Sequence, residues 1–191
     1  QRWRQKSLYH SGVLIMSSKV LVINSGSSSI KFEMYAMPEQ KVEAKGLLQK
    51  IGEESSELKY KIGGKEIVST VRIADHAEGL QRIIAALTDT ANGGLKDISE
   101  IRAVGHRVVH GGESFSSTVL ITEDVEKAIE KCIELAPLHN PPNLLGIRVA
   151  KKAMPGVPQV AVFDTAFHQT IPDYAFTYAV QFGDIMHGLV K

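Results

Sequence analysis

Apolar and polar positions change rhythm several times along the chain. Residues 20–24 (VLVIN) and 30–36 (IKFEMYA) are apolar and β-rich, and the bend NSGSSSIK between them predicts a hairpin. Residues 41–48, 58–62 and 66–71 predict further short strands, with Gly63-Gly64 turning the last two into a second hairpin. The rhythm then changes. Leu80, Ile83, Ile84 and Leu87 fall at three-and-four spacing, which predicts a helix capped by Asp75, running to about Thr90 and ended by Asn92-Gly93-Gly94. A strand, IRAVGHRVVH (101–110), comes next, followed by the short segment VLIT. Thr122, with acids after it, opens a second helix. The loop APLHNPPN leads to a third helix through about Ala153, and PQVAVFDTAFH reads as a buried strand emerging into a loop. This order predicts an α/β domain whose mixed sheet has helices packing on its faces.

Composition narrows the picture. The chain has 191 residues, of which 43% are hydrophobic, enough for a real core. Lysine plus arginine number 22 and aspartate plus glutamate 21, a balance that gives no reason to expect nucleic acid or an anionic membrane as partner. No apolar run approaches the roughly 20 residues of a membrane span. The single cysteine, Cys132, rules out an internal disulfide and fits a reducing, cytoplasmic compartment; its spacing from Val125, Ile129 and Ala136 predicts a buried, inert thiol. Residues 1–15 carry Arg2, Arg4 and Lys6 without an acid. With Met16 as a natural start, they are expected to be a disordered leader or extraneous segment, ahead of one domain over residues 16–180 and a divergent tail over 181–191.

Four short stretches can carry chemistry. In NSGSSSIK, successive N–H groups and hydroxyls form a concave donor set for phosphate oxygens, with Lys31 adding a point charge; a plain hairpin turn is the alternative. It is no Walker motif, because a β pattern follows it. In GHRVVHGG, strand alternation sends His106, Val108 and His110 to one face and Arg107 and Val109 to the other. A guanidinium beside a small apolar side chain suits a small carboxylic acid, whereas on an edge strand the arginine would be merely solvated. The two histidines lack a third ligand at a telling distance for zinc. In APLHNPPN, consecutive prolines stiffen the loop and aim Leu138 and His139. In VFDTAFHQT, Asp164 follows an apolar strand at its carboxyl end, where α/β sheets place ligands; it can orient a cation, take a proton or cap the loop.

Taken in order, these four stretches resemble the acetate kinase family, over about residues 19 to 178. The resemblance implies a ribonuclease H-like, actin-like ATPase domain: a mixed β-sheet flanked by helices, one of two duplicated domains. It implies that Asn24 contacts a Mg²⁺–phosphate assembly, Mn²⁺ being possible in its place, and that Ser27, Ser29 and Lys31 face the phosphates of ATP or ADP. It implies that Arg107 holds the substrate carboxylate and that Val109 and Leu138 line the pocket for acetate's methyl. His139 would stand near the transferring phosphoryl group, and Asp164 would be the active-site acid/base or, more in keeping with the chemistry, the group that orients Arg107 or the metal shell.

The implied reaction is ATP plus acetate to ADP plus acetyl phosphate, reversibly. Propionate or butyrate kinase and a non-catalytic phosphate-binding fragment are the alternatives. Members of the family continue through a Gly-Phe-His-Gly-Thr-Ser-His segment into a second domain, whereas here QFGDIMHGLVK closes the chain. The expectation is a first domain with little kinase activity alone, from a parent enzyme that is a homodimer.

Overall fold

A computed structural model describes residues 18–168 and 171–176, except Glu113, Ser114 and Ser116. The leader expected over 1–15 and the divergent tail over 181–191 lie outside the described residues. The described part begins as an antiparallel meander of five strands: β1 (Ser18–Ser25), β2 (Ser29–Met37), β3 (Lys41–Gln49), β4 (Ser56–Ile62) and β5 (Lys65–Val71). Helix α1 (His76–Leu87) then crosses back over the sheet, so that β6 (Ile101–Val108) lies parallel to β1 on its free side. The short β7 (Val119–Leu120), α2 (Glu123–Lys131) and α3 (Asn140–Ala153) precede β8 (Gln159–Phe163), which is parallel to β6; β7 pairs antiparallel on its outer edge. The order across the sheet is β5-β4-β3-β2-β1-β6-β8-β7. Residues Asp164–His168 make a 3₁₀ turn, and a four-residue helix α4 (Asp173–Phe176) closes the described part.

One face of this sheet makes the core. Leu21 and Ile23 of β1, Ile30, Phe32 and Met34 of β2 and Val104 of β6 pack with Leu80, Ile83 and Leu87 of α1 and Ala150 and Met154 of α3. Val108, Ala161 and Phe163 pack with Val125 and Ile129 of α2 and Leu144 and Ile147 of α3. Period-two burial along β1, β2, β6 and β8 therefore matches the helices that cover that face. The opposite face carries Val22, Lys31, Leu47 and Val162 at the surface. No helix among the described residues is long and apolar enough to cross a membrane. Cys132 is buried, and burial pushes its thiol up from the usual cysteine range.

Asp75 caps α1 by accepting from the Glu78 N–H at 2.9 Å, and Thr122 caps α2 through Val125. Four details differ from the sequence pattern. Helix α1 stops at Leu87 with Thr88 as its cap, and the left-handed Gly93 instead closes a separate 3₁₀ turn, Thr90–Asn92, because Asp89 caps that turn anew. VLIT contributes only Val119 and Leu120 as strand, since Thr122 is taken by the cap. Pro141 and Pro142 sit inside the first turn of α3 and not in a stiff loop, as the N–H groups they lack have no intrahelical partner there. The strand expected to run to His110 ends at Val108, because side chains of α3 take over the backbone beyond it.

Candidate active site

Parallel pairing brings the carboxyl ends of β1, β6 and β8 side by side, the place where open α/β sheets collect functional groups. On the face away from the helices, a single row crosses the strands. Lys31 on β2 stands opposite Asn24 on β1. Ile23 is level with His106, so Asn24 lies beside Arg107, and Arg107 is level with Val162 on β8. Lys31 and Arg107 are thus two strand spacings apart, about 10 Å, with Asn24 between them.

Asp164 completes this row. Its two oxygens accept from Arg107 Nε at 3.1 Å and Nη2 at 2.5 Å, a fork-to-fork pair, and Nη1 reaches Asn24 Oδ1 at 3.4 Å. The pair is half exposed, so it adds at most about 1 kcal/mol to stability. Its consequence is directional. Two of the guanidinium's five N–H donors are held by Asp164, and the Nη1/Nη2 edge keeps donors for another planar acceptor.

The serine bend is held from behind. From the first turn of α3, Asn140 and Asn143, three residues apart and so on one helix face, both reach the sheet. Asn143 Oδ1 accepts the Val109 N–H at 3.0 Å while its Nδ2 donates to the Ser25 carbonyl at 2.7 Å. Asn140 exchanges two hydrogen bonds with the His110 backbone, at 3.1 and 2.9 Å, as a neighbouring strand would. Helix α3 can come this close because residue 146 is glycine. Neither asparagine was singled out by the sequence pattern, although their N-x-x-N spacing at a helix start is the signal that could have found them. His76, at the start of α1, was also missed; it meets the Gly26 carbonyl.

The remaining residues fall around this frame. Ser27 is exposed and Ser29 half-buried, and Ser29 shares the strand alternation of Lys31. Lys31 also borders a groove of about 350 Å³ over β2–β4, where Lys59 and Lys61 share Glu66. Val109 is half-buried just beyond β6. Leu138 and His139 are exposed on the loop before α3, Leu138 at 76%, and neither hydrogen-bonds through its side chain to another described residue. His106 is buried under the sheet against Gln159 at 2.7 Å, and burial pushes its pKa below the usual histidine value. His110 Nδ1 accepts from the Gly112 N–H, turned toward its own loop. Among the described residues, no three His, Cys, Asp or Glu side chains gather as a metal site.

The chain is similar to known proteins in both sequence and fold. The chain is 58% identical over 163 residues to the acetate kinase of Brachyspira hyodysenteriae, covering 84% of this chain and 41% of that protein. It superposes on the crystal structure of Porphyromonas gingivalis acetate kinase with a TM-score of 0.85 at 45% identity, covering 90% of this chain and 44% of the other. A propionate kinase from Francisella tularensis gives a TM-score of 0.80 at 38% identity, covering 90% and 43%. The chain therefore spans about two fifths of the length of the curated relatives it matches. The mixed eight-stranded sheet flanked by helices is that of an actin-like ATPase domain, and because a sequence model of the acetokinase family matches residues 19–189, the chain belongs to the acetokinase family.

Proposed function

We propose that this chain is the first half of a cytoplasmic acetate kinase, whose complete, homodimeric form moves a phosphoryl group reversibly between ATP and acetate. The observation that carries the reading is the row Lys31, Asn24, Arg107 with Asp164 forked onto the guanidinium at strand carboxyl ends.

The chemistry explains that composition. Acetate's carboxylate, with a pKa near ~4 by analogy with acidic side chains, is already ionised at neutral pH and needs no strong base. The task is to bring two anions together and neutralise charge spreading over the transferring group. In this reading Arg107 takes the acetate carboxylate on its remaining N–H edge, and Asp164 fixes the guanidinium plane instead of abstracting a proton. Val109 and Leu138 bound the methyl, His139 stands by the phosphoryl group, and Ser27, Ser29 and Lys31 take nucleotide phosphate oxygens. The oxygens of Asn24 and Asp164 suit a Mg²⁺ or Mn²⁺ ion that arrives on the nucleotide's phosphates, since such ions keep most of their water and use one or two protein oxygens. When bound, that metal neutralises phosphate charge. A propionate substrate has support from the Francisella neighbour's name, and one methylene is worth only about 1–3 kcal/mol of discrimination.

Titrating the chain with acetate and, separately, with Mg·ADP, while following backbone amide resonances, tests this. Acetate is expected to shift Arg107 and Val109, and the effect should vanish in R107A. Mg·ADP should shift Ser27 to Lys31, weakened in K31A. Acetate shifts that survive R107A unchanged would sink the carboxylate assignment. Acyl phosphate trapped with hydroxylamine from this chain alone at a turnover typical of a complete kinase, about 1–100 per second, would sink the half-site reading.

A further inference from the structure

His76 occupies the first position of α1, where Asp75 caps the helix, and it is buried to 7% exposure. Its Nε2 lies 2.7 Å from the carbonyl oxygen of Gly26, fifty residues earlier, in the middle of the serine bend. A carbonyl can only accept, so Nε2 must carry a proton. The Gly26–Ser27 peptide is planar and trans, which makes its C=O and N–H point in opposite directions. With the oxygen drawn toward α1 beneath the sheet, the Ser27 N–H is turned outward, on an exposed residue and without a hydrogen bond to another described residue.

The neighbouring carbonyls are engaged as well. The Ser25 oxygen accepts from Asn143 Nδ2 at 2.7 Å and the Ser28 oxygen from the Ile51 N–H at 3.0 Å. Carbonyl oxygens are the backbone groups that repel a phosphate, and three of them here are bound to donors of the protein. Gly26 makes the restraint necessary. Without a Cβ, glycine turns readily through conformations that would flip the 26–27 peptide and aim its oxygen at an incoming anion.

We propose that His76 is a positioning residue for the phosphate-receiving bend: by donating to the Gly26 carbonyl, it holds the Ser27 N–H outward as an anion donor. This rests on the reading of the bend as a phosphate site. The imidazole touches no substrate; it acts through the orientation of one peptide.

The test uses the full chain and inorganic phosphate as probe, followed at the Ser27 amide, with acetate shifts at Val109 as the control. H76Q keeps an N–H donor at similar reach, whereas H76M has the length without the donor. Wild type and H76Q are expected to show the Ser27 shift with similar affinity, and H76M to bind about tenfold more weakly, the loss of one hydrogen bond. The Val109 response to acetate should stay unchanged in both variants. A folded H76M that binds phosphate as wild type does, with the same Ser27 shift, overturns the proposal. The ring ¹⁵N spectrum of the wild type tests it without any variant: Nε2 must be protonated, and a bare Nε2 overturns it. If phosphate shifts none of residues 26–31 while Nε2 is protonated, the phosphate reading of the bend falls, and the proposal with it, by a recognisably different pattern.

Discussion

Gly146 of α3 and Ser25 at the end of β1 meet so closely that a Cβ on Gly146 would lie 2.2 Å from Ser25 Oγ and 2.8 Å from its Cβ. This approach brings the preceding helical turn, with Asn143, within reach of the Ser25 carbonyl. G146A should therefore destabilise the chain by about 2–3 kcal/mol through overpacking. Ser25 Oγ is buried without a partner among the described residues, so S25A alone should change stability by less than about 0.5 kcal/mol. Combining the two should recover only part of the loss, because the Cβ–Cβ clash remains. Urea midpoints of the three variants check this, and a G146A midpoint equal to wild type would contradict the packing.

Asn143 joins two backbone groups, the Val109 N–H and the Ser25 carbonyl, that lie 84 positions apart in the chain. N143A leaves both without this partner. The expected loss is about 2–4 kcal/mol, with amide exchange at Val109 accelerating more than exchange in the middle of β6. Equal acceleration at both places would mean that Asn143 does not act locally.

For Asp164, stability and binding should separate. The ion pair is half exposed, so D164N should alter the urea midpoint by no more than about 1 kcal/mol. The acetate response at Val109 should nevertheless weaken, because the neutral amide no longer holds the guanidinium by two charge-assisted bonds. An unchanged acetate affinity would separate Asp164 from the orientation of Arg107.

His106 makes a pH prediction whose direction is set by burial. Its folded pKa is depressed, so below the unfolded value of about 6.5 the unfolded chain binds a proton that the native chain does not. The stability this histidine contributes is complete above that pH and is lost as pH falls toward its folded pKa, with a slope of at most about 1.4 kcal/mol per unit. Comparing urea midpoints at pH 7.5 and 5.5 for wild type and H106Q isolates the effect: wild type should lose more. If both lose equally, His106 is not buried in its neutral form.

Much of the local structure is legible from side-chain rhythm. Asp75 and Thr122 are caps because each needs only the N–H three residues on, and the alternation of Val20 to Asn24 and of Ile30 to Ala36 is that of strands with one buried face. The same alternation puts Arg107 on the side away from Val108 while the backbone stays a strand, which it does only as far as Val108. It misleads at His110, whose backbone is taken by Asn140 of a helix thirty residues later. Pro141 and Pro142 read as loop because proline inside a helix is excluded everywhere except the first turn, and the sequence pattern does not mark where that turn begins.

By itself, then, the chain's order of residues determined the strands and helices, their caps, the buried side of each and the motifs that mark the acetokinase family. Each of these depends on neighbours within four or so positions, the range over which periodicity and turn chemistry act. Only the tertiary structure decided that β6 inserts beside β1, which sets Arg107 next to Asn24 and two strands from Lys31. It also decided that Asn143 and His76 hold the serine bend from behind. Those relations join residues 50 to 118 positions apart, and they arise from burying one face of a sheet beneath three helices, a global packing choice that no local window contains.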